Sequence, residues 1–252
     1  MTESSRPLVL VTGVGRPNAI GAGIVRRLAA DGWDVAFADL RPAPGFPEAL
    51  AAETSASGAR VSGFEADLST DTGAADLVAR VRAALGPIHA LVASHAYSVD
   101  SGLLDTSLEA FDRHFAVNTR GTWLLIKAFA EQFEAAPSPD GPATGRIVAL
   151  TSDHTAHNLP YGASKGALDR IVIAAAVELA HLGITANLIN PGPIDTGWMT
   201  PDLAEALAAE TALGRLGRPQ DTADLVAFLL SPSGGWINGQ LLHSNGGFHL
   251  RV

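Results

Sequence analysis

Tyr161 and Lys165 stand four residues apart, a spacing that puts both side chains on one face of a helix, one turn above each other. A free tyrosine ionises near pH ~10 and exchanges protons poorly at neutrality; a nearby ammonium draws that value toward the working range. Thr151-Ser152-Asp153 comes shortly before the pair. A hydroxyl from Ser152 can hold a carbonyl oxygen while Tyr161 gives that oxygen a proton. Reduction of a carbonyl also needs a hydride, so the chain must carry a second site for its donor. Tyr and Lys at this spacing also fall together by chance, and the pair gains weight only from what accompanies it.

The elements that must position these residues read as alternating strands and helices, an α/β pattern. Leu8–Thr12 is a short apolar run, as expected of a strand buried on both faces of a parallel sheet. Gly13 to Gly23 is glycine-rich and leads into an amphipathic helix through about Ala30. Strand, glycine turn and helix in that order make a phosphate cradle, with close backbone approach and helix N–H groups aimed at the anion. Asp34–Asp39 is a second strand that ends in a carboxylate, suited to the ribose hydroxyls of an adenosine and repulsive to a 2′-phosphate. This favours NAD over NADP; Arg16 and Arg41 lie close enough to pair with a phosphate and leave NADP open. A short helix is expected over 49–56, a third strand over 60–65, a helix to about Leu85, a fourth strand over 89–93 and a long helix over 107–136. Residues 137–142 read as a surface loop. The fifth strand, 145–150, delivers Thr151 and Ser152 to the carboxyl edge of the sheet, where ligands of such sheets bind. A helix over 163–182 and a sixth strand over 184–190 follow. Residues 171–177 are apolar all round, so this helix is expected to bury a second face against a partner subunit, in a homodimer or homotetramer.

Thr12-Gly13, Asp39, Asp67, Asn118, Tyr161-Gly-Ala-Ser-Lys165 and Asn190-Pro-Gly192, in this order, resemble the classical short-chain dehydrogenase/reductase family over nearly the whole chain. The resemblance implies a single-domain Rossmann fold over residues 1–252. Its core would be a doubly wound parallel sheet of about seven strands flanked by helices. It implies catalysis by Ser152, Tyr161 and Lys165, with the main chain of Asn118 holding a water that links the lysine to solvent. Lys165 would also grip the nicotinamide ribose. Cofactor contacts are implied at Gly13, Gly15, Arg16, Ile20, Gly21, Asp39, Asp67, Leu68 and Ala93, and at Pro191, Gly192, Ile194 and Thr196 on the nicotinamide side. A substrate lid is expected at about 196–214, with Trp198, Met199 and Leu203 as apolar walls.

The chain departs from the family pattern in three places. The glycine turn is longer than TGxxxGxG, carries Ala19 where the middle glycine is expected, and resembles that of the divergent enoyl reductases. Ala93-Ser-His-Ala96 stands where Asn-Asn-Ala-Gly is usual, which leaves His95 either facing the nicotinamide or substrate or hydrogen-bonded for structure. Ser152 lies nine residues before Tyr161, a short connection for the family, so Thr151, Thr155 and Asn158 are also candidates for the substrate-binding hydroxyl or amide. Asp67 and Ser69 are equally candidates for capping the helix that follows.

The expected activity is interconversion of a ketone and a secondary alcohol with NAD or NADP, a 3-oxoacyl thioester being one candidate substrate. An enoyl reductase and a non-catalytic dinucleotide sensor are the rival readings; in the former the tyrosine would stand at position 158, which is Asn158. The formal charge of −9 argues against nucleic acid or an anionic membrane as partner. The chain has no cysteine, which excludes disulfides and thiolate metal sites. Asp153, His154 and His157 are possible metal ligands, but a zinc site needs three or four well-placed side chains, and no metal is expected. The polar start, residues 1–7, lacks the apolar core of a secretion signal, and no apolar run approaches the ~18 residues of a membrane span. A cytoplasmic protein is expected.

Overall fold

Short runs of Val, Leu, Ile and Ala form strands covered on both faces. The computed structural model describes residues 6–135 and 144–248. Its seven strands form one parallel sheet in the order β3-β2-β1-β4-β5-β6-β7. They are β1 (Leu8–Thr12), β2 (Asp34–Asp39), β3 (Val61–Glu65), β4 (Ala90–Ala93), β5 (Gly145–Leu150), β6 (Ile184–Asn190) and β7 (Leu241–His243). Every residue of β1, β4, β5 and β6 is buried. Leu10, Leu91, Ile147 and Leu188 pack with Leu77, Phe129 and Val172 on one side; Val9, Val11, Val92 and Val148 pack with Ile24, Leu28 and Val226 on the other. Burying each such side chain contributes about 1.5–3 kcal/mol. The strand order reverses between β1 and β4, whose ends are in register at Thr12 and Ala93. That switch point opens a crevice at the carboxyl edge.

The helices are α1 (Ile20–Ala30), α2 (Phe46–Thr54), α3 (Gly73–Leu85), α4 (Leu108–His114), α5 (Thr122–Gln132), α6 (Leu159–Glu178), α7 (Pro201–Glu210) and α8 (Pro219–Leu230). Among the described residues no helix is long and apolar enough to cross a membrane.

Three expectations are corrected. The helix expected over 49–56 begins at Phe46, where Gly45 in the left-handed region and Pro47 in the first turn start it early. α6 begins at Leu159, with Pro160 in its first turn, so Tyr161 is already helical. The helix expected over 107–136 is divided: Phe115–Gly121 form a π-helical turn between α4 and α5, and α5 stops at Gln132. The loop expected at 137–142 lies outside the described residues.

Candidate active site

The end of β5 and the first turns of α6 meet at Ser152, Tyr161 and Lys165. The Ser152 hydroxyl lies near the Tyr161 phenol and favours its ionised form, while Ser152 Oγ accepts from His154 N at 3.2 Å. Lys165 is buried, its Nζ donating to Leu150 O at 2.8 Å and lying 5.8 Å from the Tyr161 ring centroid. The expectation that the ammonium lowers the tyrosine is not met. Removal from water pushes Tyr161 up to about 12, opposed by the Ser152 hydroxyl, and draws Lys165 down to about 8. Loss of hydration outweighs the Ser152 hydroxyl at Tyr161 and the Asp169 charge at Lys165, so the phenol is protonated.

The short connection folds down onto α6. Residues 153–157 are exposed and His157 has φ +64°. A Cβ on Gly162 would strike His154 O, so only glycine lets the loop lie there. Of the alternatives to Ser152, Thr151 and Thr155 line the same cavity as Tyr161, and Asn158 does not. Thr151 Oγ1 donates to Asp169, Thr155 is exposed, and Asn158 Nδ2 donates to Ser98 Oγ at 2.9 Å and Asp100 Oδ1 at 2.6 Å. Asp153, His154 and His157 form no metal-ligating group among the described residues.

A cleft of about 460 Å³ lies over the ends of β1, β2 and β4. Gly13, with φ +76°, turns the chain beneath it, and a Cβ there would fall 2.6 Å from the His95 nitrogen. A Cβ on Gly15 would sit 2.7 Å from the Asp39 carboxyl. Both glycines therefore keep space that a side chain would fill. No side chain caps the start of α1, which leaves that helix end open toward an anion. Ile20 and Gly21 form the first turn of α1. Arg16, Asp39, Asp67, Leu68 and Thr196 line the cleft, and Ala93 is buried behind it. A bare backbone floor, an open helix end and a carboxylate at the end of β2 fit a dinucleotide. Asp39 Oδ1 accepts from Arg41 N at 3.1 Å; Arg41 and Arg16 line the same cleft, and Arg16 reaches Thr196 Oγ1 at 3.4 Å.

Asp67 does not cap α3. Its Oδ1 accepts from Ser69 N at 2.9 Å and Ser69 Oγ at 2.6 Å, bonds that hold the carboxyl below its ordinary range. Thr70 Oγ1, rather than Asp67 or Ser69, receives Gly73 N at the start of the helix.

The π turn places two residues whose roles the sequence did not disclose. Val117 O can only accept a hydrogen bond, so His95 Nε2 donates to it at 3.2 Å, while His95 Nδ1 accepts from Thr12 Oγ1 at 2.7 Å. Burial, with the Lys165 charge adding to it, pushes His95 down to about 3 and keeps the ring neutral. His95 thus braces β1, the end of β4 and the π turn. Asn118 clamps the next segment: Oδ1 accepts from Tyr97 N at 2.7 Å, and Nδ2 donates to Tyr97 O and Ser164 Oγ, each at 2.9 Å. Its main-chain oxygen receives Thr122 Oγ1 at 2.9 Å. A mid-helix Asn was the only signal for this clamp.

A second cavity, about 690 Å³, holds Ser152 and Tyr161 on its wall and shares Ile20 and Thr196 with the cleft. Pro191, Gly192 and Ile194 line it rather than the cleft. Trp198, Met199, Leu203 and Leu207 supply its apolar wall from the segment expected to form the lid. α7 within that segment has no buried residue and starts at Thr200, whose Oγ1 accepts from Leu203 N at 3.3 Å.

A doubly wound parallel sheet with a dinucleotide cleft and an adjoining Ser-Tyr-Lys site defines a nicotinamide-dependent oxidoreductase. The family model described as Enoyl-(Acyl carrier protein) reductase matches residues 13–249, and the chain belongs to the short-chain dehydrogenase/reductase family. It is 34% identical over 252 residues to the uncharacterized oxidoreductase YjdA of Bacillus subtilis (strain 168), covering 98% of this chain and 99% of that protein. It is 34% identical over 256 residues to the (3R)-3-hydroxyacyl-CoA dehydrogenase of Mus musculus, covering 96% of each. Among solved structures, a blue fluorescent protein from a metagenomic library in complex with NADPH superposes with a TM-score of 0.87 at 33% identity, covering 96% of this chain and 98% of that one. The chain is an NAD(P)-dependent dehydrogenase/reductase.

Proposed function

We propose that this enzyme interconverts a ketone and a secondary alcohol, with Tyr161 as general acid and base. The observation that carries the reading is the placement of Ser152 and Tyr161 together on the wall where the two cavities adjoin, above the buried Lys165. Bound NAD(P) supplies or accepts the hydride. In reduction, Ser152 turns its hydroxyl to the substrate oxygen and Tyr161 gives that oxygen its proton. Burial keeps the phenol in the protonated form this step requires, and the Lys165 ammonium stabilises the phenolate left behind. Asn118 holds the Tyr97 backbone in place beside the cleft. Gly13, Gly15, Ile20 and Gly21 would hold the pyrophosphate, Asp39 the adenosine ribose, and Asp67 with Leu68 the adenine. Ile194 and Thr196, carried on Pro191-Gly192, would meet the nicotinamide. Asp39 favours NAD; Arg16 and Arg41 are the groups that would admit NADP, the cofactor type in the metagenomic neighbour.

A 3-oxoacyl thioester is the substrate class to try first. The lid supplies apolar walls for an acyl chain, and the mouse relative is named for a 3-hydroxyacyl-CoA. Asp100, Asp153 and Glu210 also line the pocket, which favours a neutral ester or ketone over a free keto acid. Tyr161→Phe, assayed on such a thioester and on neutral ketones, tests the assignment; unchanged turnover would overturn it. The second reading, reduction of an enoyl thioester, is favoured by the family model's description and the long glycine turn. At position 158, however, Asn158 bonds Ser98 and Asp100 and offers no acid. Retention of Ser152, Tyr161 and Lys165 as one cluster sets aside the sensor.

The reading extends to a homodimer or homotetramer in the cytoplasm. α6 leaves Val177 74% exposed and α5 leaves Trp123 48% exposed, beside an apolar groove between the two helices. A monodisperse monomer in sedimentation would rule the oligomer out.

A further inference from the structure

Three consecutive residues at the end of β5 meet three positions of α6. Leu150 O accepts from Lys165 Nζ at 2.8 Å, Thr151 Oγ1 donates to Asp169 Oδ1, and Ser152 lies by the Tyr161 side chain. The first and third contacts belong to groups with a part in the proposed chemistry. The middle one does not. Asp169 stands one turn beyond Lys165 on α6, half-buried, and its partner Thr151 is buried.

We propose that Asp169 is a positioning residue of the active site, a single carboxylate that sets Ser152 through Thr151 and holds Lys165 in its charged form. The proposal rests on the reading of Ser152, Tyr161 and Lys165 given above and adds a fourth group to it.

Two lines of geometry support it. The segment after Ser152 is exposed through residue 157 and turns through a left-handed His157. Ser152 is held from both sides: His154 N donates to its Oγ at 3.2 Å, and on the Thr151 side the main chain donates to Ile189 O at 2.9 Å and the side chain to Asp169. Around Lys165, Asp169 is the negative charge; His95 faces it from the end of β4 as a neutral ring, and Tyr161 as a phenol. Burial draws Lys165 down to about 8 and the Asp169 carboxylate opposes that fall. Asp169 in turn faces Lys165 and Arg170 on α6, Thr151 at the end of β5 and His243 on β7. Burial raises its carboxyl, while the Thr151 hydrogen bond and the charges of Lys165, Arg170 and His243 favour the ionised form.

The sequence allows a direct test, because Lys127 and Lys165 are its only two lysines. Protein labelled with 13C at lysine Cε gives two titrating signals, and Lys127→Arg assigns them. Asp169→Asn keeps an acceptor for Thr151 and removes the charge, so the Lys165 midpoint is expected to fall by about one pH unit. The alkaline limb of kcat is expected to move down with it. Thr151→Val removes the tie and keeps the charge; kcat is expected to fall about tenfold with the Lys165 midpoint unmoved. Thermal melts of both variants establish that they are folded. An Asp169→Asn protein, folded and active, whose Lys165 midpoint matches wild type would overturn the proposal and leave the proposed function standing. A shifted midpoint in a protein that turns over no carbonyl would do the reverse, keeping the pairing and overturning the function.

Discussion

The cofactor cleft and the substrate pocket share Ile20 and Thr196, yet they are built by opposite means. The cleft floor is made by removing side chains: Gly13 and Gly15 clear it, and a bare helix end with the carboxylates of Asp39 and Asp67 finishes it. The proposed catalytic wall is made by adding contacts: Leu150 and Thr151 are bound across to α6, Ser152 lies by Tyr161, and the short loop is pressed against Gly162. A site built from backbone tolerates a longer turn and a displaced glycine because the strand and helix still set its shape. A site built from side-chain contacts keeps its geometry only while each partner remains. The two regions should therefore fail separately.

The largest effect is expected at Tyr161. Tyr161→Phe should lower kcat by about 10²–10⁴-fold and leave NADH binding, measured by calorimetry, unchanged. Gly162→Ala comes next. The new Cβ displaces His154 O and with it Ser152, so kcat should drop about 10²-fold, the scale of a small misplacement of reacting groups, again with NADH affinity preserved. A loss of NADH binding in either variant would show that the regions are not separate.

Asp39→Ala probes the other side. It should shift the ratio of NADH to NADPH affinity by about tenfold toward NADPH, or 1.4 kcal/mol, with the kcat pH profile unmoved. The last test concerns His95, which braces β1 and the end of β4 against the π turn. Its folded pKa, about 3, lies below the ordinary 6.5, so the unfolded chain binds more protons between these values. Stability is then fully present above pH 6.5 and is lost as pH falls toward 3, by on the order of 1 kcal/mol per pH unit. His95→Asn should flatten that acid slope in urea titrations; an unchanged slope would mean that other groups set it.

The same contrast explains what the sequence disclosed. The bounds of β1, β2, β5 and β6 were legible because a run buried on both faces is written in consecutive apolar residues. Gly13 and Asp39 were legible because their work is local to one strand and one turn. The start of α6 was misplaced because Pro160 reads as a break when it serves as a first turn. The π turn has no residue pattern of its own, so the reach of Val117 O to His95 and the grip of Asn118 on Tyr97 were hidden. Asp169 passed unnoticed for a related reason: its partner Thr151 is 18 positions away along the chain and meets it only across the β5–α6 contact.

The proposed lid has a different consequence. α7 contributes no residue to either core, so its sequence is free of the packing that constrains α6. As proposed walls of the substrate pocket, Leu203 and Leu207 are expected to change what the enzyme accepts when exchanged, with folding unaffected. An inherited reaction centre can thus be re-addressed to new substrates in small steps, with each intermediate still a working protein.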